Sequence, residues 1–396
     1  MRRLLTLAVG MLVCAVAAAP APAGTRLIVG AAEDDAKQLD PAVAKAKMDL
    51  AKLAGLDAIR VTALWNPGVR TLDGPDLQAL SNAAFAAQLD GIRLFVSIYP
   101  SRPRAAPITS KARADFAAYA TSVARELPTV RDFIIGNEPN LNTFWMPQFT
   151  RRGTDAAAPA YEAVLAETYD ALESVDPGIT VIGGSVSPRG QDDPRSRRPT
   201  HSPTAFIRHL GDVYRASGRA RPIMDAFSFH PYLESSRLPP TFRHPLSTSI
   251  SLNDYDKLVA LLGQAFDGTA QPGTTLPVVY DEFGVQSRIG SRKVRHYTNR
   301  GAPAARDAVS EALQAAYYRR ALELAACQPT VTGLLFFHVS DEHDMRAWQS
   351  GLYYADDTPK SSLAPVRDAV VAAETGTLVS ECTGGTTWPG PAPERR

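Results

Sequence analysis

Short, almost continuously apolar runs recur eight times along the chain with helical stretches between them, at 26–31, 58–64, 92–98, 131–135, 179–182, 223–229, 277–280 and 331–337. Runs of this length without polar alternation are what strands need when both faces are covered, the condition of a parallel sheet wrapped in helices. Their starts lie 32 to 54 positions apart, room for a strand, a crossover helix and two loops. After the first run, Asp40 is placed to cap a helix and Pro41 suits its first turn, while Ala46, Leu50, Leu53 and Ala54 repeat at helical spacing before Gly55. Leu313, Tyr317, Ala321 and Leu324 repeat the pattern before the last run, and 363–373 supplies an eighth helix after it. Eight β-α units predict an α/β fold of the (β/α)8 TIM-barrel kind. The rival is a doubly wound open sheet, but no glycine-rich phosphate loop follows the first run.

The ends of the chain read differently from its middle. Arg2 and Arg3 precede an apolar run at 4–18, and Ala21-Pro22-Ala23 offers small residues for cleavage before Gly24, the pattern of a secretory signal peptide over 1–23. Pro20 and Pro22 interrupt the run before the roughly 20 apolar residues that a membrane span needs. Cys14 as a lipid anchor is disfavoured because Val13 stands where a small residue belongs. Residues 24–380 are then one catalytic barrel, and 381–396, rich in proline and glycine after Cys382, is expected to be a disordered tail. The expected location is extracellular. Without the leader two cysteines remain, Cys327 and Cys382, a suggestive number in an oxidising compartment. Helices of a barrel run antiparallel to its strands, so both cysteines fall at the N-terminal face, where a disulfide is sensible.

With 42 basic and 41 acidic residues, the global balance gives no reason to expect nucleic acid or a membrane surface as partner. Chemistry belongs instead at the other end of the barrel, where strands end and loops begin. Strand four runs into Gly136-Asn137-Glu138-Pro139 and strand seven into Tyr280-Asp281-Glu282-Phe283-Gly284. Two carboxylates thus face one another across a rim from positions 144 apart in sequence. Cleavage of a glycosidic bond needs such a pair, one acid to protonate the leaving oxygen and one carboxylate to attack or to activate water. Asp281 competes with Glu282 for the second role; neighbouring strand residues face opposite sides, so only one of them is expected in the cleft.

Asn137-Glu138-Pro139 at strand four and Glu282 at strand seven resemble clan A of the glycoside hydrolases, retaining enzymes built on this barrel, and the resemblance covers most of the chain after residue 23. Gly136-Asn137-Glu138-Pro139-Asn140-Leu141 with Phe144-Trp145 is similar to family 39, and the strand-seven segment is similar to family 5. The resemblance implies Glu138 as general acid/base, Glu282 as nucleophile and Asn137 as the group on the sugar 2-hydroxyl. It further implies that Tyr232, in Phe229-His230-Pro231-Tyr232, hydrogen-bonds the nucleophile, that His230 lines the same pocket, and that Arg60 at strand two lies beneath it. Donors around Glu282 hold it ionised, while burial beside a negative neighbour keeps Glu138 protonated.

Departures from the pattern concern the sugar subsites. Tyr99 stands after strand three where family 5 often has a histidine, and strand eight ends Phe336-Phe337-His338 where many clan members have a tryptophan. Trp348 and Trp145 are candidates for a stacking platform and equally for core packing. The cluster Asp341-Glu342-His343-Asp344 reads as a solvated turn or a sugar-binding edge rather than a calcium site, so no metal or cofactor is expected. Loops after strands three to seven together carry a formal charge of +12, half of it in 286–306, which points to an acidic glycan with Arg288, Arg292, Lys293 and Arg295 as first candidates. The expected substrate is an oligo- or polysaccharide. The competing function is a carbohydrate-binding barrel without turnover; sugar, linkage, mode of attack and oligomeric state stay open.

Overall fold

The computed structural model describes residues 24–302 and 305–382; the expected signal peptide at 1–23 and the tail beyond Cys382 lie outside the described residues. Eight parallel strands close into a barrel in sequence order, β1 pairing with both β2 and β8. The strands are β1 (Ile28–Ala32), β2 (Ala58–Trp65), β3 (Arg93–Pro100), β4 (Asp132–Ile135), β5 (Thr180–Val186), β6 (Ala226–Phe229), β7 (Val278–Phe283) and β8 (Val331–Phe337). Each is followed by its helix: α1 (Pro41–Leu53), α2 (Gly74–Asp90), α3 (Ser110–Glu126), α4 (Ala157–Glu173), α5 (Pro203–Ser217), α6 (Tyr255–Phe266), α7 (Glu311–Ala326) and α8 (Leu363–Glu374). The (β/α)8 expectation therefore holds, and the open sheet is excluded by the β1–β8 pairing.

Local chemistry sets most boundaries. Asp40 caps α1 by accepting from the Ala42 N–H, with Pro41 in the first turn. Strand β6 starts at Ala226, three residues later than its apolar run, because the backbone N–H groups of Ile223 and Met224 donate to the Gln271 side chain instead of a neighbouring strand. Inside the barrel, Ala58, Phe95, Ile134, Ile182 and Ala226 pack together from five strands, a filled interior rather than a pore. The larger core lies between strands and helices. Cys327, at the end of α7, is bonded to Cys382 beyond α8. No helix among the described residues is long and apolar enough to cross a membrane.

Two strands carry an extra residue at their C-terminal ends. Between β5 and β6 the register shifts around Ser185, and between β7 and β8 it shifts between Tyr280 and Phe283. A bulge of this kind bends the strand and re-aims the side chains on it. Both bulges face the same rim, and both feed the site described next.

Candidate active site

Gly136 ends β4 at φ 99°, and a Cβ there would stand 2.8 Å from the Tyr161 ring, so only glycine makes this exit. The Tyr161 hydroxyl, from α4, donates to the Ile135 carbonyl at 2.6 Å and accepts from the Gly184 N–H at 2.7 Å, tying β4 to β5 below the bend. Glu138 follows with φ 40°, a left-handed backbone uncommon outside glycine, fixed by its N–H on the Ser185 carbonyl at 2.8 Å. Its carboxylate is thereby turned into the barrel mouth.

There Glu138 Oε1 meets His230 Nδ1 at 3.1 Å, and the same nitrogen lies 3.5 Å from Glu282 Oε2. Arg60 donates to Glu282 Oε1 at 2.5 Å, to Asn137 Oδ1 at 2.8 Å and to Ser97 Oγ at 3.2 Å. Tyr232 donates its hydroxyl to Glu282 Oε2 at 3.1 Å. Six residues singled out from the sequence, Arg60, Asn137, Glu138, His230, Tyr232 and Glu282, therefore converge on one point. They arrive from β2, β7 and the ends of β4 and β6.

Asp281 belongs there too, against the alternation argument. The β7 bulge puts Asp281 and Glu282 on the same side: Asp281 Oδ2 is 3.3 Å from Arg60, and its Oδ1 is 3.3 Å from His230 Nε2. Ser185, aimed by the other bulge, bridges Asp281 Oδ2 at 3.2 Å and His230 Nε2 at 3.0 Å. Asp281 is fully buried while Glu282 is partly open to the cleft, so Asp281 stands as a counter-ion to Arg60 and His230 beneath it. The sequence reading missed Asp281 in this role and Ser185, because a bulge leaves no mark in an apolar run, and Ser97, a lone serine inside the regular β3.

Charge follows from this packing. Burial works to lower the His230 pKa, but the Glu282 and Asp281 charges overcome it and raise it to about 10. Both ring nitrogens face acceptors, which suits the imidazolium. Burial works to raise Asp281, and His230 and Arg60 reverse that and hold it below the usual carboxylate range. Burial and then the Glu282 charge push the Tyr232 hydroxyl well up, keeping it a donor.

Aromatic residues divide. Trp348 lies against the Tyr232 ring, centroids 5.3 Å apart, and edge-on to Phe337 at 5.5 Å, so it walls the cleft. Tyr99 is also at the mouth; burial raises its hydroxyl to about 12, with Arg60 acting in the opposite direction. Trp145 is no platform: it is buried at 2% exposure and packs edge-on against Tyr161. The acidic turn is engaged by the protein, Glu342 accepting from the Trp348 N–H at 2.6 Å and Asp341 from Lys360 at 2.6 Å; it positions Trp348. A group with metal-like spacing among the described residues is Asp155, His201 and His209. It sits away from the glutamates, at the start of α4 and α5, with His209 Nδ1 on Asp155 Oδ2 at 2.7 Å and His201 Nε2 on Asp155 Oδ1 at 3.1 Å.

No protein-family model matches the chain, and no curated protein does. Among solved structures the chain is similar to a family 39 glycoside hydrolase from the gut symbiont Bacteroides cellulosilyticus WH2, with 19% identity, TM-score 0.60, and 88% of this chain and 64% of that one covered. It is also similar to GH5_18 from Streptomyces cattleya in complex with GlcNAc, at 16% identity, TM-score 0.59, covering 89% and 81%. An exo-β-1,4-mannosidase from Opitutaceae bacterium strain TAV5 matches at 16% identity, TM-score 0.55, covering 89% and 60%. The barrel is thus one that glycoside hydrolases of families 39 and 5 share. The chain spans under two thirds of the first of these.

Proposed function

We propose that this protein is a retaining glycoside hydrolase that acts outside the cytoplasm on the O-glycosidic bonds of an oligo- or polysaccharide. The observation that carries the proposal is the meeting of Glu138 and Glu282 on one imidazole nitrogen, at 3.1 and 3.5 Å. Both carboxylates thus flank one point of the cleft, which supports their acting on the same bond; retention is what the resemblance of Asn137-Glu138-Pro139 and Glu282 to clan A implies. The two have different surroundings. Glu282 takes hydrogen bonds from Arg60 and Tyr232, which stabilise its anion and support the role of nucleophile; Glu138 shares only His230 among these donors.

In the first step a Glu282 oxygen forms a bond to the anomeric carbon as the C–O bond to the leaving group breaks, and the Glu138 proton passes to the departing oxygen. Glu138 is left as a carboxylate. In the second step it takes a proton from water, the water oxygen bonds to the anomeric carbon, and Glu282 is released. Two inversions give net retention. Asn137, held by Arg60 at 2.8 Å, presents its amide N–H2 to the sugar 2-hydroxyl. The leader pattern at 1–23 and the Cys327–Cys382 bond support export, and the +12 of the rim loops supports an acidic glycan.

A panel of aryl glycosides and polysaccharides, with anomers followed by NMR, tests this. Wild type is expected to retain configuration, Glu282→Gln and Glu138→Gln each to lose on the order of 10³-fold in kcat/KM. Full activity in both variants would overturn the site; binding of sugar without turnover in wild type would leave a carbohydrate-binding barrel.

A further inference from the structure

The loop richest in charge, 286–306, mostly spends it on protein partners. Lys293 binds Asp356 at 2.9 Å and lies over the Tyr354 ring, Arg295 donates to His296, and Arg300 to the Tyr297 carbonyl. A different cation stands at the cleft. Arg189, three residues beyond the end of the bulged β5, lines a cavity of about 200 Å³ together with Trp348, Glu234 and the residues that directly follow Tyr232 and Glu282.

Its backbone is braced. The Pro188 carbonyl accepts from the Ile250 N–H at 3.0 Å, and Gly190 passes so close to the His201 carbonyl that a Cβ there would lie 1.9 Å from the oxygen. Its guanidinium donates once to the protein, from NH1 to the Tyr232 carbonyl at 3.0 Å, and among the described residues no carboxylate lies within ion-pair distance of it. The acids nearby are otherwise engaged: Glu234 holds His244 Nε2 at 2.7 Å, and Asp307 accepts from the Ser236 N–H at 3.0 Å. Burial depresses the Arg189 pKa, and the charges of Glu234 and Glu138 oppose this.

Resting on the glycosidase reading, the geometry points to Arg189 as the residue that selects substrate: its guanidinium binds the carboxylate of a uronic acid unit seated against Trp348, in the cavity lined by the residues that follow Tyr232 and Glu282. A planar fork of N–H donors fits a planar carboxylate at two points, and a half-buried cation lacking a counter-ion gains most from acquiring one. Trp348 offers an aromatic face to the ring carrying that carboxylate. A neutral sugar fills the same space and leaves the charge unmet.

The test is binding of Glu282→Gln protein to unsulfated uronate chains, namely polygalacturonate, alginate and heparosan oligosaccharides, each beside its carboxyl-reduced counterpart. The expected result is one chain held at least tenfold more tightly than its reduced form, with that ratio brought near unity by Arg189→Gln and partly restored by Arg189→Lys. Equal binding of both forms, a ratio that survives Arg189→Gln in protein of unchanged Tm, or no uronate chain bound at all would each overturn the assignment. Wild-type turnover of the reduced chains or of neutral aryl glycosides reports on the glycosidase reading separately.

Discussion

His230 stands between Glu138 and Glu282 on one side and Asp281 on the other, and its proton decides how those carboxylates share charge. His230 and Arg60 face Asp281 and Glu282 as two cations against two carboxylates, with Glu138 on the same imidazole nitrogen as Glu282. The raised pKa of about 10 means that His230 stabilises the fold fully below its ordinary 6.5 and loses that contribution as pH rises from there through about 10. Asp281→Asn removes one of the two charges that raise it. In Asp281→Asn the imidazole is therefore expected to titrate at lower pH than in wild type, followed by NMR of the ring; a titration that does not move would show that Asp281 does not set the imidazolium.

Elements explain what was legible and what was not. The eight apolar runs are a periodic signal, so strands, helices and closure followed from the chain alone, and Glu138 and Glu282 followed because strand ends are where this fold gathers chemistry. The bulges in β5 and β7 are single-residue accommodations of backbone twist that no periodicity encodes; they hide Ser185 and set Asp281 beside Glu282. Arg189 was one charge among many in a loop, visible only once the 187–203 segment had been placed. That placement depends on Asp155 at the start of α4, which accepts from the Ala157 and Ala158 N–H groups and from both His201 and His209. The hydrogen bond that His209 donates to Asp155 raises the His209 pKa, burial works against it, and Asp212 and Asp192 add smaller charges of the same sign as Asp155. This stabilisation is complete below 6.5 and fades as pH rises through the raised value. The Tm lost on His209→Gln is expected to be larger at pH 6 than at pH 9.5, by differential scanning calorimetry; an equal loss at both would mean packing rather than charge.

Across the whole molecule, the closing strand is held from below. Gly24 N–H donates to the Val379 carbonyl, Thr25 to Ala326 and Leu27 to Ala373, so the residues leading into β1 are clasped by the end of α7, the end of α8 and the segment beyond it. The Cys327–Cys382 bond joins those same two pieces across 55 positions. Cutting it removes a loop constraint from the unfolded chain, for which chain entropy gives about 4 kcal/mol, and frees the clasp on the strand that completes the barrel. The bond lies at the N-terminal face, the full length of the strands from Glu138 and Glu282. Cys382→Ser is therefore expected to unfold at a lower denaturant midpoint while kcat/KM at 25 °C keeps its wild-type value, and dithiothreitol is expected to bring wild type to the same midpoint. A variant that loses activity in step with stability at 25 °C would instead mean that the clasp reaches the rim through β1 and β8, whose pairing runs the whole length of the barrel from Ile28 to Ala32.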